Sequence, residues 1–337
     1  MKIVRILQAT RYYDWWEHKL VPLLLVAYAT LIINDFPFEK AALRMLLIVG
    51  SVTAGAIYVS FINDITDIHD DLQAEKYNLM ASKPKHFRLL IIMLCVIAGV
   101  LFGYFIYPSV TALYFYIAAY IVFTLYSVPP ARFKERGILG VLCDATGAHV
   151  FPAMLITTDL HFSIGIKTNL TLLIAIGMWA FMFGLRGILW HQFQDRDNDI
   201  KSGTNTFAVK IKPTNFYLAE RVILGIELAG LFVIFMQMIS YWILLAVVGY
   251  AALVLIRRNF FKRKITIILR PAVGEDQFLM TDFYITFLPI TLLIINAIHF
   301  KFGWLVLVVH IILFPKNTYL VAKDIIVFFR FKLRNII

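Results

Sequence analysis

The sequence predicts an all-α fold, a polytopic transmembrane helical bundle of about nine helices with room for a short tenth. Three observations carry this. The 337 residues are 61% hydrophobic and 16% charged, whereas a soluble domain is roughly half apolar and about a quarter charged. Several apolar runs reach the roughly 18 to 20 residues that cross a bilayer. Lysine and arginine crowd into alternate connections between those runs, as they do when one set of loops faces the cytoplasm.

The apolar runs place spans at about 20–34, 41–63, 87–106, 109–127, 138–157, 168–192, 217–238, 241–257 and 282–299, followed by a shorter stretch at 302–315. Three segments follow: residues 1–19 as a basic and aromatic interfacial segment, 20–300 as the bundle, and 301–337 as the short apolar stretch with a basic tail. Met1 to Lys19 shows no typical cleavage site before the first apolar run, so no secretory signal is expected. One set of loops carries Lys76, Lys83, Lys85, Arg88, Arg132, Lys134, Arg136, Arg196, Lys201, Lys210, Lys212 and the run from Arg257 to Arg270. The opposite set carries Lys40, Lys167 and Lys301. Lys2, Arg5, Arg11 and Lys19 put the N-terminus on the cation-rich side, expected to be cytoplasmic. The net charge of +11 is then a matter of topology and anionic lipid headgroups, and no nucleic-acid partner is implied. Cys95 and Cys143 fall inside apolar runs and read as packing residues.

Ahead of the first span, Tyr12, Tyr13, Trp15 and Trp16 read as an interfacial belt, with Lys19 snorkelling or reaching an anion. The second span runs into Asn63-Asp64-Ile65-Thr66-Asp67-Ile68-His69-Asp70-Asp71. If the helix continues, Asp64, Asp67 and Asp71 share one face at i, i+3 and i+7. Like charges so arranged call for a cation between them, and hard oxygen donors suit Mg2+, which binds one or two carboxylates together with a substrate's phosphates. A solvated acidic loop is the plainer reading of that stretch taken alone. Lys83 and Lys85, beside the helix-breaking Pro84, fit either a phosphate contact or topology.

The fourth span ends in Tyr126-Ser127-Val128-Pro129-Pro130-Ala131-Arg132-Phe133-Lys134. The two prolines stiffen the turn. Arg132 can fork onto phosphate oxygens and Lys134 can act as a point charge. Asp144 and His149 are ionisable groups in the fifth span, costly there and functional by default. Asp144, nearer the cation-rich end, is the more suggestive. A structural pairing of Asp144 with Arg186 is the alternative. The sixth span ends in a second acidic stretch, where His191, Asp195 and Asp199 form an i, i+4, i+8 stripe. Asp195, Asp197 and Asp199 imitate the start of a calcium loop, but Ile200 stands at its glycine and Thr206 at its bidentate glutamate.

Three stretches together resemble the UbiA-type intramembrane prenyltransferases. They are Asn63-Asp64-x-x-Asp67-x-x-x-Asp71, then Tyr126-Ser127-x-Pro129-Pro130-x-Arg132-x-Lys134-x-x-Gly137, then Asp195-x-x-x-Asp199 with Gly203 and Thr206. The resemblance covers about residues 15–300, and departs where Lys83-Pro84 replaces the Arg-Pro of many members. It implies about nine helices around a cavity. An isoprenyl diphosphate would be held there through Mg2+ on the two Asp motifs, and its prenyl group passed to an acceptor. Asp64, Asp67, Asp71, Asp195 and Asp199 are then the expected metal-holding and catalytic residues. Asn63, Lys83, Tyr126, Arg132, Lys134, Asp144, His191 and Lys201 are the expected substrate contacts.

The physical chemistry is consistent with that reading. Two acidic faces at one membrane edge can flank a diphosphate, cations can meet the remaining oxygens, and an allylic cation needs a water-poor, aromatic-lined pocket. The same scaffold would also serve phosphoribosyl transfer to a polyprenyl phosphate. A transporter is disfavoured, because its ionisable residues belong mid-membrane. The tail sets charge against length. Lys316, Lys323, Arg330, Lys332 and Arg334 favour the cytoplasm, while 302–314 makes only about 20 Å of helix against a roughly 30 Å core. Charge is the weightier signal and predicts a short tenth crossing, with the tail lying on the surface.

Overall fold

Helix α1, Tyr12–Ile33, is apolar on almost every side, and the bundle closes around it accordingly, with Val21 and Leu31 fully buried. The computed structural model describes residues 10–73, 75, 77–238, 240–269 and 276–334, with the side chains of Asp14 and Ser202 left out. Lys2, Arg5, Lys76 and Arg270, counted above among the topogenic cations, lie outside the described residues.

The other long helices follow the apolar runs: α2 Phe38–Thr66, α3 Lys85–Ile106, α4 Val110–Ser127, α5 Ile138–Ser163, α6 Leu170–Ser202, α7 Tyr217–Met238, α8 Trp242–Asn259 and α9 Phe283–His299. Among the described residues, α1 to α6 and α8 are long and apolar enough to cross a membrane. Helix α9 is shorter, and α7 carries Glu220, Arg221 and Glu227. The two glutamates of α7 face inward. Glu220 accepts the backbone N–H groups of Ile268 and Leu269 at 3.0 Å, and Glu227 pairs with Arg186 of α6. Spans carry charge in this way when the bundle interior satisfies it.

Helices α5 and α9 each widen into a π-turn, at Thr146–Val150 and Phe283–Phe287. Each lies just before a proline, Pro152 or Pro289. A proline ring clashes with the carbonyl four residues back, and the wider turn relieves that clash.

At one end of the bundle the connections are short: 34–37, 107–109 and 164–169. At the other end the α2–α3, α4–α5, α6–α7 and α8–α9 connections are long and carry both acidic motifs and most of the loop cations. The last of these holds a two-residue parallel pairing, Ile265–Thr266 with Asp276–Gln277.

The tail returns to the motif-bearing end. Helix α10, Gly303–Leu313, packs on α9 and α2, with Gly303 against the backbone of Asn296, where a Cβ would meet the carbonyl oxygen at 2.5 Å. Its His310 meets the Tyr28 hydroxyl at 3.0 Å, and its Leu313 carbonyl accepts from Trp16 Nε1 at 2.8 Å. The chain thus runs back along α1 to where α1 begins. It then bends by 87° into α11, Pro315–Arg334. The Glu17 carboxylate accepts the backbone N–H groups of Lys316 and Asn317 at 2.8 and 3.0 Å, satisfying the helix start. Asp324 then ties α11 to Arg257 of α8 at 2.9 Å. With 11 residues, α10 is shorter than a full span, and we propose that it makes the tenth crossing that the tail charge predicts. A topology reporter fused after Ile337 is expected to report the same side as one fused at Met1. Opposite sides would refute the return.

Candidate active site

Helix α2 delivers the first motif at its C-terminal end. The helix ends at Thr66, and Asp67 caps it with φ −98° and ψ 4°. A short helix, Ile68–Gln73, restarts at once, with Asp71 N–H donating to the Asp67 carbonyl at 2.8 Å. The break is slight, so Asp64, Asp67 and Asp71 stay together and line one cavity of about 1180 Å³. Asn63 and Asp195 line it too. Four of the five expected carboxylates, from both acidic motifs, thus line one cavity, and Asp199 does not.

Each motif residue is braced. The Ser127 hydroxyl at the end of α4 donates to Asn63 Oδ1. Asn78, 7% exposed, donates to the Asp71 carboxylate at 2.8 Å and to the Asp64 carbonyl at 2.7 Å. Its own Oδ1 accepts from Met80 and Ala81 N–H. Arg11 approaches Asp64 at 3.9 Å from the start of α1.

The loop after α4 places its cations on the first motif. Arg132 adopts a left-handed backbone, φ 35°, a conformation that non-glycine residues seldom take. Its guanidinium pairs with Asp67 at 3.2 Å, with Asp70 and with Glu135, and donates to the Thr66 carbonyl at 3.1 Å. Burial works against the Arg132 charge, but Glu135, Asp67 and Asp70 outweigh it and hold the pKa above the ordinary arginine value. Lys134 also donates to Asp67 and lines the cavity. Both cations expected at the diphosphate thus meet Asp67 in this structure.

The second motif sits on the last turns of α6. His191 Nε2 lies 3.6 Å from Asp195, and both line the cavity. Asp199 accepts the Thr206 hydroxyl at 2.9 Å and is not part of the cavity wall. Gly203, at φ 72°, ends α6 with its N–H on the Asp199 and Ile200 carbonyls, the left-handed stop that glycine permits. Thr206 bridges to Gly137, joining the loops after α4 and α6.

Other expected contacts fall in different places. Tyr126 and Asp144 line the cavity. Lys83 lies over the Phe87 ring at 5.6 Å, and Lys201 is exposed; neither lines the cavity. Arg186 does not pair with Asp144. It is fully buried, and the carboxylate within its reach is Glu227, at 2.8 and 2.9 Å. Asp144 faces the cavity, where solvent or a ligand can satisfy it. Tyr13 and Trp15, read as belt residues, and Lys19, read as snorkelling or reaching an anion, line the cavity from α1, and His18 joins them. Asn78, Ser127 and Arg11 were not among the expected site residues; Ser127 lies within and Asn78 shortly after a motif-bearing stretch, whereas Arg11 precedes α1.

Deeper in, the walls are aromatic and small. Tyr58, Tyr116, Tyr120, Phe123 and Phe183 contribute rings, and Gly55, Gly147 and Gly187 leave space. Among the described residues no three His, Cys, Asp or Glu side chains form a closed metal cage. The donors are instead separate carboxylates around an open volume. That arrangement suits Mg2+, which keeps waters and shares its coordination with a substrate's phosphates.

The sequence matches the UbiA prenyltransferase family over residues 20–267. No curated protein matches the chain. Among solved structures, a UbiA homologue from Archaeoglobus fulgidus is 15% identical and superposes with a TM-score of 0.54, covering 90% of this chain and 98% of that one. The same homologue bound to DMAPP and Mg2+ is 16% identical, with a TM-score of 0.50 over 90% and 99%. A digeranylgeranylglyceryl phosphate synthase is 15% identical, with a TM-score of 0.53 over 93% and 99%. At such identities the likeness concerns the fold.

Proposed function

The chain belongs to the UbiA prenyltransferase family, and from that premise we propose that it moves a polyprenyl group from its diphosphate, held with Mg2+ between the two Asp motifs, to an acceptor entering the same cavity. The observation that carries this is the convergence of Asp64, Asp67, Asp71 and Asp195 at the polar end of an aromatic-walled cavity. Those four carboxylates would hold Mg2+, with Asn63 and Asn78 keeping the first motif in place. Bound there, Mg2+ supplies Lewis-acid neutralisation of the leaving pyrophosphate. The A. fulgidus homologue bound to DMAPP and Mg2+ lends the same ligand set to this fold.

The chain's own residues do the rest. Lys134 and Arg132, already delivered to Asp67, meet phosphate oxygens placed beside that carboxylate. The apolar wall takes the isoprenoid chain. The faces of Tyr58, Tyr120 and Phe123 suit the positive charge that develops as the C–O bond lengthens. Water enters from the motif-bearing end, and the cations of its loops support a cytoplasmic orientation for the site.

Membranes containing the protein, incubated with radiolabelled geranylgeranyl diphosphate or with phosphoribosyl diphosphate, test the reading. Label from the prenyl donor is expected in a lipid product. Incorporation from the phosphoribosyl donor alone would replace the reading with phosphoribosyl transfer. Arg132→Ala is expected to weaken diphosphate binding by about tenfold or more, the value of a charged hydrogen bond. Unchanged affinity by calorimetry would leave Arg132 as a brace for Asp67 only.

A further inference from the structure

The π-turn of α5 turns one side chain into the cavity that the Asp motifs do not account for. His149 lies in that turn, is 6% exposed, and lines the cavity. Its ring stands edge-on to Phe183 with centroids 5.0 Å apart. Among the described residues neither ring nitrogen has a hydrogen-bond partner. A ring that is nine-tenths buried and opens into a cavity without a protein partner points to a ligand that supplies the partner.

The neighbourhood is cut to fit this ring. A Cβ on Gly184 of α6 would come within 2.8 Å of His149 Cδ2 and 2.9 Å of the Ala145 backbone. Glycine at 184 therefore lets α6 approach closely while the imidazole stands between the helices. A Cβ on Gly147, in the same π-turn, would meet Phe123 at 2.9 Å. Lys19 of α1 lines the same cavity together with His18 and Arg11. A hydrogen-bonding ring and the cations Lys19 and Arg11 thus share the cavity with the acidic motifs.

We propose that His149 is the catalytic base for the acceptor, taking the proton of an acceptor hydroxyl group that enters the cavity beside it. This rests on the prenyl-transfer reading above. A neutral imidazole keeps one nitrogen lone pair free. In the step, the acceptor oxygen forms a bond to C1 of the prenyl group. The C1–O bond to the diphosphate breaks, its electron pair leaving with pyrophosphate. The hydroxyl proton passes to the free imidazole nitrogen and returns to solvent through the open, motif-bearing end of the cavity. Nothing beyond prenyl diphosphate and acceptor is consumed.

The test uses the full-length protein in nanodiscs with Mg2+. Binding of geranylgeranyl thiolodiphosphate is followed by calorimetry. Pyrophosphate release from geranylgeranyl diphosphate is followed with 4-hydroxybenzoate, with a prenylglyceryl phosphate, and with no acceptor. At least one of the two acceptors is expected to accelerate release. His149→Ala and His149→Gln are expected to lose about 10²-fold or more of that acceleration, with thiolodiphosphate affinity unchanged. Added imidazole is expected to restore part of the rate in His149→Ala, which a packing role would not permit. Acceptor-stimulated turnover within threefold of the wild type in either variant overturns the proposal. So does the absence of stimulation by both acceptors in a protein that binds the thiolodiphosphate. Failure of the wild type to bind the thiolodiphosphate would instead sink the prenyl-transfer reading itself.

Discussion

Asp67→Asn and Asp195→Asn are each expected to lower Mg2+-dependent prenyl transfer by about 10³-fold or more while leaving the bundle folded. The rate loss follows from what the site must stabilise. Charge on the departing pyrophosphate is met by preorganised groups in a partly dry cavity, where a single such interaction is worth about 10² to 10³ in rate. An amide oxygen keeps the shape but removes the anion that holds the metal. Asp67 has a second duty, since Lys134 and Arg132 both converge on it. Its replacement also frees two cations from their resting partner. The fold is expected to survive because these carboxylates sit at the open end, with side chains 26% and 39% exposed for Asp67 and Asp195. Ion pairs that exposed contribute little to stability. Turnover of radiolabelled geranylgeranyl diphosphate across a Mg2+ titration, with thermal unfolding alongside, checks both halves. Full activity in either variant would remove the metal role.

The helical framework was readable because a bilayer demands long apolar runs; those runs fall on α1 to α9, although α1 begins eight residues before its run and α5 and α6 end six and ten residues beyond theirs, where polar residues extend the helices. The convergence of the two acidic motifs was readable for a related reason. Both follow even-numbered spans, so they emerge at one end, and the spacing of Asp64, Asp67 and Asp71 survives the slight break at Asp67. Pairings between distant helices were not readable. Arg186 takes Glu227, 41 residues away, and not Asp144, because the choice depends on which carboxylate α7 brings into contact with α6. Arg132 and Lys134 were placed near the acidic motifs, but their convergence on Asp67 depends on the left-handed turn at Arg132. Lys83 and Lys201 carry the right charge in the right loops and still miss the cavity. Loop charge follows from topology, whereas side-chain direction follows from packing. Pro152 is a further signal in the sequence. Pro152 lies three residues after His149, and a proline inside a span often marks a widened turn that redirects the residues before it.

Glu227→Ala is expected to be the most destabilising single change outside the site, by about 3–5 kcal/mol. Arg186 and Glu227 are both 0% exposed, and the Tyr284 hydroxyl completes the group by donating to Glu227 at 2.7 Å. Arg186 also donates to the Phe278 carbonyl, while the Arg186 carbonyl accepts from Gln277 Nε2 at 3.4 Å. The network thus joins α6, α7 and the start of α9 directly beneath the cavity, whose wall includes Gly187, Ile188 and Gln277. Removing the carboxylate leaves a guanidinium in the apolar interior with no counter-charge, which costs far more than the pair itself contributes. The triple variant Arg186→Met, Glu227→Leu, Tyr284→Phe removes charge and partner together and is expected to recover most of the lost stability. The contrast between the single and triple variants separates the cost of an orphaned charge from the value of the pair. Unfolding of the detergent-solubilised protein, followed by circular dichroism in denaturant, measures both. A Glu227→Ala protein within about 1 kcal/mol of the wild type would show that Arg186 finds another anion, against the expected cost of leaving a buried partner unpaired.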